Sequence, residues 1–199
     1  MSISDFVSKT NPIQIFILIT FLNGVFSLKR QNRQHLFLLL VLFDGLLTEI
    51  ISITLQCFNM RVLLLYSVSF IIYHSLWLLI ITSEVELKSW TKIILSSFIT
   101  FGLANFFFIE KYNLNYLTFI VGALTYISLF LYHSYHQLNR ENLSYFTKNE
   151  YLLLFIPILF FFGLSFIFGF RNSQVIGAIV YHNVSLYTFI GYFVNIVYY

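Results

Sequence analysis

The chain has 199 residues, 59% of them hydrophobic and only 10% charged, whereas an ordinary soluble domain carries roughly 25% charged residues. Phenylalanine at 25 positions and tyrosine at 14, against 2 prolines, exclude a disordered or collagen-like chain. A net charge of +3 with scattered Lys and Arg offers no basic face for nucleic acid, and the single Cys57 excludes an internal disulfide, a CxxC redox pair and a thiolate zinc site.

About 20 mainly apolar residues are needed to cross a bilayer as a helix. Cutting the chain at its charged and amide-rich interruptions predicts an all-α polytopic bundle of seven transmembrane helices in one domain, 1–199. The spans are 11–28, 35–58, 62–82, 91–109, 116–135, 151–170 and 179–199. The first follows one nearby cation, Lys9, and lacks an Ala-x-Ala-like exit, so it is expected to be retained rather than cleaved. Alternating barrel patterning is absent, and helices satisfy their own backbone groups in lipid.

The connections set the orientation. Lys29, Arg30, Arg33, Lys88, Lys92, Arg140 and Lys148 fall on one side, against Lys9, Arg61, Lys111 and Arg171 on the other. The positive-inside rule then puts the N-terminus outside and the C-terminus in the cytoplasm. Tyr112, Tyr116, Tyr132, Tyr135, Tyr145, Tyr151 and Tyr181 lie near span ends, where an aromatic belt belongs.

The second span carries Asp44 and Glu49 near the bilayer centre, where an acid costs about 2.5 to 3.5 kcal/mol on insertion scales. Gly45, Glu49, Ser52 and Gln56 recur at helical intervals and make a stripe expected to face protein. Asp44 lies off that stripe and is expected beside Thr48. The turn at 59–61 makes the second and third spans antiparallel neighbours. Counted from residue 60 at about 1.5 Å per residue, Glu49 lies about 16 Å down, His74 about 21 Å and Asp44 about 24 Å. His74 can thus meet either acid, and Asp44, Glu49 and His74 form the expected buried polar centre: a register clamp, a proton relay or an ionic ligand site.

His133 and His136, one helical turn apart at the end of the fifth span, and His35 at the start of the second fall on one predicted side. They are the weak candidates for a metal, with interfacial anchoring as the default. Pro157 in the sixth span, followed by Gly163 and Gly169, predicts a kink. The seventh span places Tyr181, Ser185, Thr188, Tyr192, Asn195 and Tyr199 at helical spacing. Ser52, Gln56, Tyr73, Tyr126, Thr188 and Asn195 are the residues expected to line any pocket, although plain helix packing uses such residues too.

No cofactor is expected. Haem needs two histidines at matching depth, but His182 and His133 belong to opposite faces and His74 has no deep histidine partner. A retinal Schiff base needs a lysine inside a span, and Lys92 at the edge of the fourth is the nearest. HExxH, GxSxG and GxxxxGK[ST] are absent, and no nucleophile or metal set for a lipid enzyme can be assembled.

The run LLTEIIS around Glu49, the Tyr73–His74 pair, the fifth-span ending YHSYHQL and the proline- and glycine-bearing sixth span resemble an uncharacterised family of small polytopic bacterial membrane proteins over residues 35–170. The start of the sixth span lacks the Phe-Trp pair of that family. The resemblance implies a bacterial inner membrane and an association with sensor histidine kinases, and it supplies no active site. The expected function is therefore a membrane sensing or partner-binding subunit of a signalling system, with the bilayer and an output protein such as a sensor kinase as partners. The alternative is a small proton-coupled transporter or permease using Asp44 or Glu49.

Overall fold

The computed structural model describes residues 10–28, 32–84, 88–111, 113–181 and 184–199. Lys9, Lys29, Arg30, Tyr112 and His182 lie outside them, as do the side chains of Lys88 and Tyr181. Among the described residues the fold is all-α, 84% helical, with five helices long and apolar enough to cross a membrane. Its contacts gather in two units, Met1–Thr118 and Phe119–Tyr199.

In the first unit α1 (Pro12–Ser27) packs on α2 (Arg33–Cys57), α2 on α3 (Leu63–Glu84), and α3 on α4 (Lys88–Ala104), each helix against its predecessor. The starts of α1 and α2 are set by asparagines. Asn11 accepts from the Ile13 amide at 2.7 Å, and Gln14 returns its Oε1 to the Asn11 amide at 2.9 Å, a reciprocal box that satisfies two orphan donors. Asn32 does the same for Gln34 at 2.9 Å. Gly24 lets α1 settle on Leu42 and Leu39 of α2. Gly102 of α4 lies against Ile71 of α3, where an added Cβ would come within 3.0 Å. After Ala104 the helix widens into a π turn, Asn105–Ile109.

In the second unit α5 (Tyr116–Asn139), counted from Phe119, is followed by a tight turn, Leu143–Thr147, and by α6 (Asn149–Gly169). The core here is aromatic. Phe119 meets Phe160, Phe161 and Phe168 edge to face, with centroids 5.0 to 6.3 Å apart. α6 runs through Pro157. The proline supplies no N–H to the Leu153 carbonyl, and the Tyr126 hydroxyl donates to the next carbonyl, Leu154, at 2.9 Å. At the end of α6 the Arg171 guanidinium donates to the Phe168 carbonyl at 3.1 Å, a cation placed where the helix dipole favours one.

The segment 179–199 departs from the expected single helix. After a short turn α7 (Gln174–Gly177), β1 (Ile179–Tyr181) pairs antiparallel with β2 (Val184–Ser185), and α8 (Leu186–Tyr198) follows. The run Ile-Val-Tyr favours extended backbone. Ser185 then caps α8, its Oγ accepting from the Thr188 amide at 3.2 Å. α8 packs on α6. With 13 and 16 residues, α8 and α1 extend about 20 and 24 Å, against a hydrocarbon layer of about 30 Å.

Candidate functional site

The residues of interest lie in the first unit, on α1, α2 and α3. Glu49 is a half-buried carboxylate between the other two helices. Gln14 Nε2 donates to its Oε2 at 2.7 Å, and the Tyr66 hydroxyl approaches Oε1 at 3.3 Å. The Tyr66 oxygen is also 3.0 Å from the Ser52 hydroxyl, which accepts from Gln56 Nε2 at 3.1 Å. The stripe Glu49–Ser52–Gln56 is thus one hydrogen-bonded chain, with Tyr66 of α3 bridging its first two members. Gln14 works at both ends, closing the cap of α1 and holding Glu49.

Asp44 belongs to a second chain. The Thr48 hydroxyl donates to Ser69 Oγ at 3.0 Å, and Ser69 donates to Asp44 Oδ2 at 3.0 Å. The expected Asp44–Thr48 association is therefore relayed through α3. The partners of both carboxylates are neutral hydroxyls and an amide, so each acid is held by hydrogen bonds within its helical neighbourhood.

His74 takes another place. Fully buried, it directs Nδ1 to the Phe70 carbonyl at 2.9 Å and packs its ring near Phe98 of α4 and Tyr73, with centroids 5.8 and 5.9 Å away. A carbonyl only accepts, so Nδ1 carries the proton. The helix register explains why His74 and the acids have different partners. Asp44 faces Ser69, and His74 lies five residues further along α3, about 7 Å along the axis.

The remaining sequence candidates take local roles. Thr188 donates its amide to the Ser185 cap of α8, their hydroxyls 2.9 Å apart, and Asn195 donates to its own helix at the Gly191 carbonyl, 2.8 Å away. His133 Nε2 is 2.9 Å from the hydroxyl of buried Tyr145, which pins the turn Leu143–Thr147 to α5. Tyr145 therefore serves the interior of its unit rather than an interfacial belt. His136 stacks on Tyr132. Among the described residues no three His, Cys, Asp or Glu side chains gather as a metal site would require; His35 lies on the first turn of α2.

A second polar cluster, which the sequence reading passed over, closes the other end of the first unit. Asn105, Asn115, Thr118 and Ser67 are all fully buried. Asn105 Nδ2 donates to Asn115 Oδ1, to Glu110 Oε2 at 2.7 Å and to Thr118 Oγ1 at 3.1 Å. Thr118 donates to Asn115 Oδ1 at 2.8 Å, and Asn115 Nδ2 to the Gly102 carbonyl at 3.1 Å. The Asn115 amide donates to Ser67 Oγ at 3.0 Å, and Ser67 in turn reaches the Asn113 carbonyl at 3.1 Å. Glu110 also faces the Leu117 amide at 3.3 Å, placing an anion at the start of α5. The signal in the sequence is Asn105, Glu110, Asn113 and Asn115 clustered at a span end, which reads as loop punctuation until the π turn draws Asn105 inward. No family model, curated protein or solved structure matches the chain.

Proposed function

We propose that the chain is a membrane-embedded sensing or partner-binding subunit of a signalling system, with Glu49 as the contact through which α1 responds. The observation behind this reading is that the Glu49 carboxylate receives donors from the helices on both sides while its α1 partner, Gln14, also closes the α1 cap. A ligand or partner that competes for Glu49 or Gln14 releases the start of α1, turning a local polar event into a helix displacement. In this proposal the apolar helices make seven spans, with the N-terminus outside and the C-terminus in the cytoplasm of a bacterial inner membrane. The shorter α1 and α8 sit at membrane depth because each packs on a span-length helix of its own unit. The output protein is a sensor kinase.

Tagged protein captured from its native membrane under mild crosslinking is expected to enrich such a kinase over an unrelated seven-span control. Glu49→Gln keeps the shape but replaces a charge-assisted acceptor, and should lower capture by about tenfold, the equivalent of ~1.4 kcal/mol. Unchanged capture and unchanged downstream response with that variant would remove Glu49 from the mechanism.

The proton-coupled permease is the second reading, supported by the relay Thr48–Ser69–Asp44 between α2 and α3 and by Pro157 within α6. Its expected result is pH-dependent solute flux in reconstituted vesicles that Asp44→Asn abolishes. Flux that survives the substitution assigns no transport role to Asp44.

A further inference from the structure

The cluster around Asn105 holds more oxygen acceptors than it has protons to share. Asn105 is fully buried at the π turn that ends α4. Its amide nitrogen has two protons and faces three oxygens, Glu110 Oε2, Asn115 Oδ1 and Thr118 Oγ1. The Thr118 proton is directed to Asn115 Oδ1, and Asn115 Nδ2 to the Gly102 carbonyl. Asn105 Oδ1 receives no hydrogen bond, which in a protein interior is the arrangement that calls for a further partner.

We propose that Asn105, Glu110, Asn115 and Thr118 form a binding site for a monovalent alkali cation such as sodium, completed when the Asn105 amide turns over to present Oδ1 in place of Nδ2. The amide nitrogen already stands where three oxygens converge, so the turned amide adds a fourth to the set. Hard cations take oxygen ligands of this kind, carboxylate, amide and hydroxyl together. The one carboxylate matches a single positive charge. This site shares no residue with the Glu49 and Asp44 chains and stands apart from the signalling reading.

The test uses the full chain in detergent, with tryptophan fluorescence following thermal unfolding in sodium chloride against N-methylglucamine chloride at equal ionic strength. Sodium is expected to raise the midpoint by about 5 °C at saturation, and equilibrium binding of radioactive sodium should give one site per chain. The informative variant is Asn105→Asp, which supplies oxygens and removes the amide protons. A cation site predicts that Asn105→Asp keeps or strengthens the sodium dependence. An amide needed only as a donor predicts a variant equally weakened in both salts, which overturns the proposal. Equal midpoints for the unaltered chain in the two salts, with no saturable sodium binding, overturn it as well, whether or not the variant folds.

Discussion

Gly163→Ala is expected to destabilise the C-terminal unit by about 2 kcal/mol, the scale of an overpacked core, and Val194→Ala in the same chain to restore most of that loss. The Cβ added at Gly163 would lie 2.4 Å from Val194 Cγ1 and 3.4 Å from Ile190 Cγ2. Val194 is buried, and its branched side chain has few rotamers into which to retreat. The strain therefore passes to the separation of α6 and α8. Gly191 is the control, since nothing lies within 4 Å of a Cβ there and Gly191→Ala should be neutral or slightly stabilising. Chemical denaturation of the four combinations in detergent gives the coupling between positions 163 and 194. Additive effects would mean that the two residues do not define the α6–α8 contact.

Much of this architecture is legible in composition because apolar run length is a strong signal. Helix boundaries fall within a few residues of the cuts for the first six segments: α2 covers Arg33–Cys57 for an expected 35–58, and α3 covers Leu63–Glu84 for 62–82. The extra residues are ends supplied by caps, such as Asn32, that a hydropathy cut cannot feel. The seventh segment differs because run length is blind to local backbone preference. Residues 179–199 contain no Lys, Arg, Asp or Glu, yet Ile179–Tyr181 is extended and Ser185 restarts the helix as a cap.

The candidate site was legible by face but not by partner. The stripe Glu49–Ser52–Gln56 is a property of one helix, and it forms a chain as its spacing indicates. Who answers it depends on a neighbour's register. Counting both helices symmetrically from residue 60 brought His74 to the depth of the acids, whereas α2 ends at Cys57, α3 starts at Leu63, and Ser69 and Tyr66 meet the acids instead. Gln14 lies beyond such counting altogether, because its Nε2 reaches from α1 across to Glu49 of α2. An amide on a one-helix plot gives no sign of such a reach.

Asn115→Leu should be strongly damaging to the first unit, costing about 3 kcal/mol at nearly constant volume. The substitution leaves the main-chain amide of residue 115 on the Ser67 hydroxyl, which accepts from it. It deletes an acceptor shared by Asn105 and Thr118 and the donor that serves the Gly102 carbonyl. The two Asn105 amide protons keep Glu110 and Thr118, but the Thr118 hydroxyl and the Gly102 carbonyl each lose a partner in the interior, and each such orphan costs about 1 to 3 kcal/mol before relaxation. Thr118→Val, which removes one hydroxyl from the same cluster, is expected to cost about 1 kcal/mol. Denaturation midpoints for the two variants test the ranking. A loss with Asn115→Leu no larger than with Thr118→Val would show that Asn115 is one member among equals. The hub matters because of where it sits. The π turn at Asn105–Ile109 alters the hydrogen-bond register at the end of a span-length helix, and beside lipid every polar group so displaced must be answered from within the protein. A leucine at position 115 would be welcome for its apolarity and unable to give that answer.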